Sequence, residues 1–182
     1  MAFTLFISAS VAILWLSRRS LRSMRSHGFY RFFAFESLAG LVVLNLNIWF
    51  RDPFSIRQIV SYFFGVASIL LAFEGFRLLA LLGRPSSEMA DETNLAFENT
   101  THLVRAGVYR FIRHPLYASL FALAVCTWLK APLSRANIAL TLVTVGFLLA
   151  TAVAEEKENL ARFGTEYAEY MKHSNRFVPF LF

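Results

Sequence analysis

The chain is 182 residues long, 57% hydrophobic and only 16% charged, with a formal net charge of +6 and twenty phenylalanines; its mean hydropathy is +0.51. A soluble domain carries nearer a quarter charged residues, and the apolar residues here come in long blocks, which points to an integral membrane protein forming one compact unit. The basic residues flank those blocks and build no separate basic domain, so the positive charge suits a bilayer surface and not nucleic acid. The one cysteine, Cys126, lies inside an apolar block. It excludes an internal disulfide and a Cys-rich metal site, no metal site is expected, and its role is that of a small buried hydrophobe.

The first apolar block runs from Ala2 to Leu16 and is followed by Arg18, Arg19, Arg22 and Arg25. Charge after the block, instead of before it, argues for a first membrane helix with its N-terminus outside and not for a secretory signal. Phe32 to Phe50 is the second block, closed by Arg51-Asp52-Pro53; its polar members Glu36, Asn45 and Asn47 are expected to hydrogen-bond between helices. Ile59 to Leu82 is the third, with Glu74 and Arg77 three apart on one face, able to neutralise each other. Ser86 to Arg105 is a polar loop with room for one amphipathic turn. Leu116 to Trp128 is the fourth block; about 13 residues rise only roughly 20 Å, less than a bilayer core. After a turn at Lys130 to Arg135, Ile138 to Ala154 is the fifth.

Blocks four and five should form an antiparallel hairpin entering from the cytoplasm. Glu155 to Phe163 continues the fifth helix, Gly164 caps it, and a short amphipathic helix follows with Thr165 as its N-cap. Arg176 to Phe182 forms an apolar tail that packs back on the bundle or dips into the interface. The expected fold is thus all-α: an integral membrane bundle of about five transmembrane helices with a cytoplasmic cofactor pocket. It forms a single membrane domain over 1–182, divided into N-terminal helices (1–84), a cytoplasmic loop (85–115) and a hairpin with the C-terminal catalytic region (116–182). Only Arg51, Arg57, Lys130 and Arg135 then face outward, which satisfies the positive-inside rule with the C-terminus in the cytoplasm.

Two polar clusters meet at the cytoplasmic ends of this hairpin. Arg113 and His114 stand on the border of the fourth block, with His114 pushed out of helical geometry by Pro115. A helix N-terminus beside these side chains suits a carboxylate or a phosphate; it is also what a basic collar on a membrane helix looks like. Glu155 and Glu156 have the wrong sign for that border and need something positive opposite. Either Arg113 pairs with a glutamate and staples the hairpin, or a zwitterionic ligand sits between them, its carboxylate on Arg113 and His114 and its ammonium on a glutamate.

The run Gly107-Val108-Tyr109 … Arg113-His114-Pro115-Leu116-Tyr117, then Glu155-Glu156 … Phe163-Gly164 … Tyr167 … Tyr170 … Arg176 … Pro179, resembles the isoprenylcysteine carboxyl methyltransferase family and the related phospholipid methyltransferase-like membrane proteins. The resemblance covers the C-terminal half, from Thr101 onward, and its combination of motifs is more specific than Arg-His-Pro alone. It implies S-adenosyl-L-methionine as methyl donor, contacted by Leu103, Val104, Tyr109, His114, Pro115, Leu116, Tyr117 and Glu155. His102, one residue closer to Leu103-Val104 than in the family, is a further candidate. So are Arg113 and Glu156 by the charge argument above. The implied partners are the bilayer and a lipophilic or lipidated acceptor.

The carboxyl methyltransferases carry an acceptor-side arginine one turn before the first glutamate; here Thr151 stands there, and Arg176 is the candidate replacement. Methyl transfer needs few catalytic side chains, since alignment and exclusion of water carry most of it. A bacterial inner membrane is the expected location. Two alternatives stay open on the residues: a sterol-type membrane reductase using NADPH, which the mostly acidic loop does not favour, and a non-catalytic membrane protein in which an Arg113–Glu155 contact only locks two helices.

Overall fold

The computed structural model describes residues 1–84, 94–132 and 134–179. Six α-helices follow in chain order: α1 (Ala2–Ser17), α2 (His27–Asn45), α3 (Ile56–Leu82), α4 (Pro115–Trp128), α5 (Arg135–Phe163) and α6 (Thr165–His173), joined in places by short 3-10 turns. There is no strand among the described residues, only an isolated parallel bridge between Ile112 and Asn175. Serine caps set three of the helix starts: Ser26, Ser55 and Ser134 accept hydrogen bonds from the backbone N–H of Phe29, Gln58 and Asn137. The cap at Ser26 starts α2 at His27 instead of Phe32, which brings His27 and Arg31 into the bundle.

Three helical stretches are long and apolar enough to cross a membrane: His27–Ile48, Ile56–Leu82 and Arg135–Phe163. Helices α1 and α4, at 16 and 14 residues, are apolar but shorter. Phe63, Ile69, Phe73 and Leu142 stand exposed on the outside, where a bilayer would cover them. The architecture is that of an all-helical bundle fitted to be an integral membrane protein.

The five apolar helices run up and down. Helix α2 packs chiefly on α5, and α3 on α4. Helices α4 and α5 are antiparallel and touch, but each leans more on another neighbour than on its hairpin mate. Small residues make the close crossings possible. Ala34, Ala118 and Ala152 sit in one core with Ile112, Tyr117, Leu148 and Phe177, and a Cβ on Gly75 would come within 2.8 Å of Leu116 Cδ2.

One end of the bundle gathers the end of α1, the start of α2, the end of α3, the start of α4 and the end of α5; it is called the near end below. At the far end, Asn45 donates to Asn137 at 2.7 Å, Lys130 Nζ donates to Gln58 at 3.0 Å, and Ser61 donates to the Cys126 carbonyl at 2.9 Å. Cys126 is buried, as expected. Glu36 accepts from Ser10 of α1 at 2.7 Å, and Arg77 binds Glu74 through two bonds of 2.8 and 2.7 Å.

Lys130 lies at the far end, where it is 1% exposed and sits 3.9 Å from the Tyr62 ring centroid, so that the ring face and Gln58 replace water. Two expectations need correction. Asn47 bridges no helices; it is exposed in a 3-10 turn after α2 has ended. Thr165 is the first residue of α6, not its cap. Gly164, at φ +55°, is at once the C-cap of α5 and the residue before α6, because a positive φ reverses the chain with no room for a separate capping residue. The tail does pack back on the bundle: Phe177 is 7% exposed and belongs to the core. Its last residues, 180–182, lie outside the described residues, as does the first part of the polar loop, 85–93.

Candidate functional site

The near end holds a cavity of about 250 Å³ lined by side chains of α2, α3, α4, α5 and α6 and of the loop between α3 and α4. That loop is drawn against α3. Gly107 has φ +57°, and a Cβ there would meet Leu78 Cδ1 at 2.7 Å and Glu74 Oε1 at 3.3 Å, so only glycine permits both the turn and the approach. Tyr109 is then buried in a cluster with Leu78 and Val104, its carbonyl accepting from the Tyr170 hydroxyl at 2.5 Å. Burial pushes the Tyr109 phenol well above its ordinary pKa, with the Glu155 charge adding to it, and burial raises Tyr170 likewise. Both are neutral hydroxyls at any physiological pH.

His114 caps α4 with non-helical backbone, φ −123° and ψ 63°, as the following proline dictates. The segment before it is tied to the tail: Arg113 N–H donates to the Asn175 carbonyl at 2.7 Å, His114 N–H to the Arg176 carbonyl at 3.2 Å, and Asn175 N–H to the Phe111 carbonyl at 2.9 Å. The His114 ring stacks on Tyr117, centroids 5.5 Å apart at 18°. Its Nδ1 lies 3.8 Å from Glu155 Oε2 and its Nε2 3.5 Å from Glu156 Oε1, with no hydrogen-bond partner for the buried Nε2 among the described residues.

The two clusters therefore meet, but the neighbouring glutamates do different things. Glu156 is enclosed. It accepts from Arg113 Nε at 2.9 Å and, through two bonds of 3.1 and 2.8 Å, from Arg176 Nε and Nη2, with 6% of its side chain exposed. Glu155, one residue earlier and a hundred degrees around the helix, lines the cavity and keeps a quarter of its side chain accessible. The Arg113–Glu155 contact of the non-catalytic alternative is thus an Arg113–Glu156 contact, with Arg176 as a third member.

Of the sequence candidates, Leu103, Val104, Tyr109, Arg113, His114, Pro115, Leu116, Tyr117 and Glu155 border the cavity, whereas His102, Glu156 and Arg176 do not. His102 is exposed and bonded to Thr101 Oγ1 at 2.8 Å. Arg113 touches the cavity, but its Nε serves Glu156 and its Nη1 the carbonyls of Ser174 and Met171. It is a structural tie and not a hand held out to a ligand carboxylate. Arg176 is engaged with Glu156 in the same way and supplies no cation to the cavity wall.

Sequence reasoning missed the opposite wall. Arg31 and Phe35 of α2, Ala72, Phe76 and Leu79 of α3, and Asn159 and Tyr167 beyond Glu155 all border the cavity. So does Glu98 of the loop, which reaches from its 3-10 turn to bind Arg31 and to lie 3.3 Å from His27 Nε2. Burial acts to raise the Glu98 pKa, but the hydrogen bond from His27 and the charge of Arg31 outweigh it and hold the carboxyl down at about 2. His27 in turn donates its backbone N–H to Glu158 at 2.8 Å, with its Nδ1 2.6 Å from the other oxygen. The signal available was the position of His27 and Arg31 on the far side of Ser26, one turn ahead of the apolar run.

A helical membrane bundle with a largely apolar, aromatic-walled cavity at one end and an open carboxylate beside a helix N-terminus is the class of protein these features define. Residues 86–162 match the isoprenylcysteine carboxyl methyltransferase (ICMT) family. Two curated relatives are similar to part of the chain. It is 33% identical over 85 residues to a "Probable protein-S-isoprenylcysteine O-methyltransferase" of Oryza sativa subsp. japonica, covering 47% of this chain and 44% of that protein. It is 29% identical over 73 residues to a "Methanethiol S-methyltransferase" of Crocosphaera subtropica, covering 40% of this chain and 28% of that protein. The matches span less than half the length of either relative. No solved structure matches the chain.

Proposed function

We propose that this protein is an S-adenosyl-L-methionine-dependent methyltransferase acting on a lipophilic acceptor that reaches the cavity from the bilayer. The observation that carries the reading is the division of labour between the two glutamates. Glu156 is the carboxylate that pairs with Arg113 and Arg176, and Glu155 faces the cavity beside His114. Glu98, on the same wall, is paired with Arg31 and His27; an accessible carboxylate such as Glu155 in a largely apolar pocket suits an ammonium or sulfonium group, and the aromatic walls of Tyr109, Tyr117 and Tyr167 suit a purine.

In this reading Glu155 would take the ammonium of the donor and His114 would present a ring nitrogen to it. Bound there, the donor supplies an activated methyl group on a sulfonium, and transfer breaks the S–CH₃ bond as the acceptor forms the new one. The chain's own part is to fix direction and to exclude water. Leu103, Val104, Pro115, Leu116 and the buried tyrosines provide dry walls in which the disappearing positive charge favours the transition state over the ground state. The tyrosine hydroxyls stay neutral and do not act as bases. By the positive-inside rule the cavity opens to the cytoplasm and the N-terminus lies outside, and the inner membrane of a bacterium is the proposed location.

Titration with S-adenosylhomocysteine and with NADPH, followed by thermal unfolding in detergent, tests this. The reading expects stabilisation by the nucleoside and none by NADPH; a shift with NADPH alone would move the assignment to a reductase.

A further inference from the structure

Arg31 is 2% exposed and lines the cavity. Its Nη1 is bound by Glu98 and lies 3.3 Å from His27 Nε2. Its Nε and Nη2 have no protein partner among the described residues. These two nitrogens form one edge of the guanidinium, with parallel N–H bonds spaced for the two oxygens of a carboxylate. Elsewhere in this chain that same edge is filled in that way: by Glu74 on Arg77, at 2.8 and 2.7 Å, and by Glu156 on Arg176, at 3.1 and 2.8 Å. At Arg31 that edge is unfilled among the described residues, and the residue borders the cavity beside Phe35, Phe76 and Leu120. Two charged N–H groups held out of water without a partner are unfavourable unless something completes them. Thr151, which stands where the family resemblance expects an arginine, offers no substitute: it is fully buried and its hydroxyl donates to the Phe147 carbonyl at 2.6 Å.

We propose that the Nε/Nη2 edge of Arg31 is the anchor for a ligand carboxylate in this cavity. The inference rests on the methyl-transfer reading for what enters the cavity, and it assigns to α2, outside the segment matched to the family, the cation that the acceptor side otherwise lacks. One chemistry could come from two sources, the acid group of a lipophilic acceptor or the methionine carboxylate of the donor. The apolar neighbours of Arg31 suit the first and its reach into a shared cavity permits the second.

The test needs two matched pairs of probes and the full chain in lipid nanodiscs, with binding measured by calorimetry. One pair is N-acetyl-S-farnesylcysteine and its amide. The other is S-adenosylhomocysteine and its decarboxylated analogue, 5′-deoxy-5′-(3-aminopropylthio)adenosine. The wild-type protein should prefer the acid by about tenfold or more in one pair, as a bidentate charge-assisted contact implies, and that pair identifies the source. Arg31→Lys leaves a cation for Glu98 but removes the planar fork; it should erase the preference while unfolding near the wild-type temperature. Should that variant not fold, Arg31→Gln combined with Glu98→Gln, which removes both buried charges together, carries the same readout. No preference or no binding in both pairs, or a preference that survives loss of the fork, overturns the anchor. An Arg31-dependent preference for the farnesyl acid with no binding of either nucleoside keeps the anchor and removes the methyl-transfer reading.

Discussion

The two ends of the bundle are built from the same kinds of residue and treat them differently. At the far end the buried polar groups answer one another: Asn45 with Asn137, Lys130 with Gln58 and the Tyr62 ring. At the near end the buried groups are incompletely answered, with Arg31 and His114 both carrying buried nitrogens that have no partner among the described residues. No far-end side chain is in that position among the described residues. Interiors tolerate unsatisfied polar atoms rarely and usually for a reason, and here they surround a cavity. The far end is a latch between helices; the near end has the marks of a site.

The sharpest way to break the comparison is to open the near-end staple. Glu156→Ala removes the carboxylate shared by Arg113 and the half-buried Arg176 and should lower stability by about 3 kcal/mol, read as thermal unfolding in detergent. Next comes pH. The Glu98 carboxyl is held at about 2, below its ordinary 4.5, so its contribution is fully present above pH 4.5 and is lost as pH falls toward 2. That contribution is on the order of 3 kcal/mol; Glu98→Gln should flatten the acid limb of the stability profile over that window. Glu155→Gln separates site from scaffold: nucleoside affinity should fall by about tenfold or more with little change in unfolding temperature. The smallest effect belongs to the far end, where Asn45→Ala should lower stability by about 1 kcal/mol and leave ligand binding untouched.

Much of this was legible in the residues. Block lengths and the arginine distribution located the helices, and hairpin geometry brought Arg113-His114 to Glu155-Glu156. What the pattern could not resolve was which of two adjacent glutamates faces the arginine. A helix turns by about 100° per residue, so the choice depends on the rotation of α5 against α2 and on where the tail returns; Arg176 and Ser174 reach Arg113 only through the backbone pairing of 111–114 with 175–176. The α2 wall was hidden for a related reason. Arg31 and His27 looked like the end of a basic collar, and only the Ser26 cap, which starts the helix early, turns them inward to meet a carboxylate from a loop some seventy residues away.

The central claim is that Glu155, and not its neighbour, looks onto a nucleoside-binding cavity. Calorimetric titration of S-adenosylhomocysteine into the nanodisc-embedded wild type and Glu155→Gln proteins tests it most directly. The account predicts saturable one-site binding by the first and a loss of about tenfold or more by the second, with the variant still folded. Equal affinities for the two proteins, or no binding to the wild type at millimolar ligand, would contradict it.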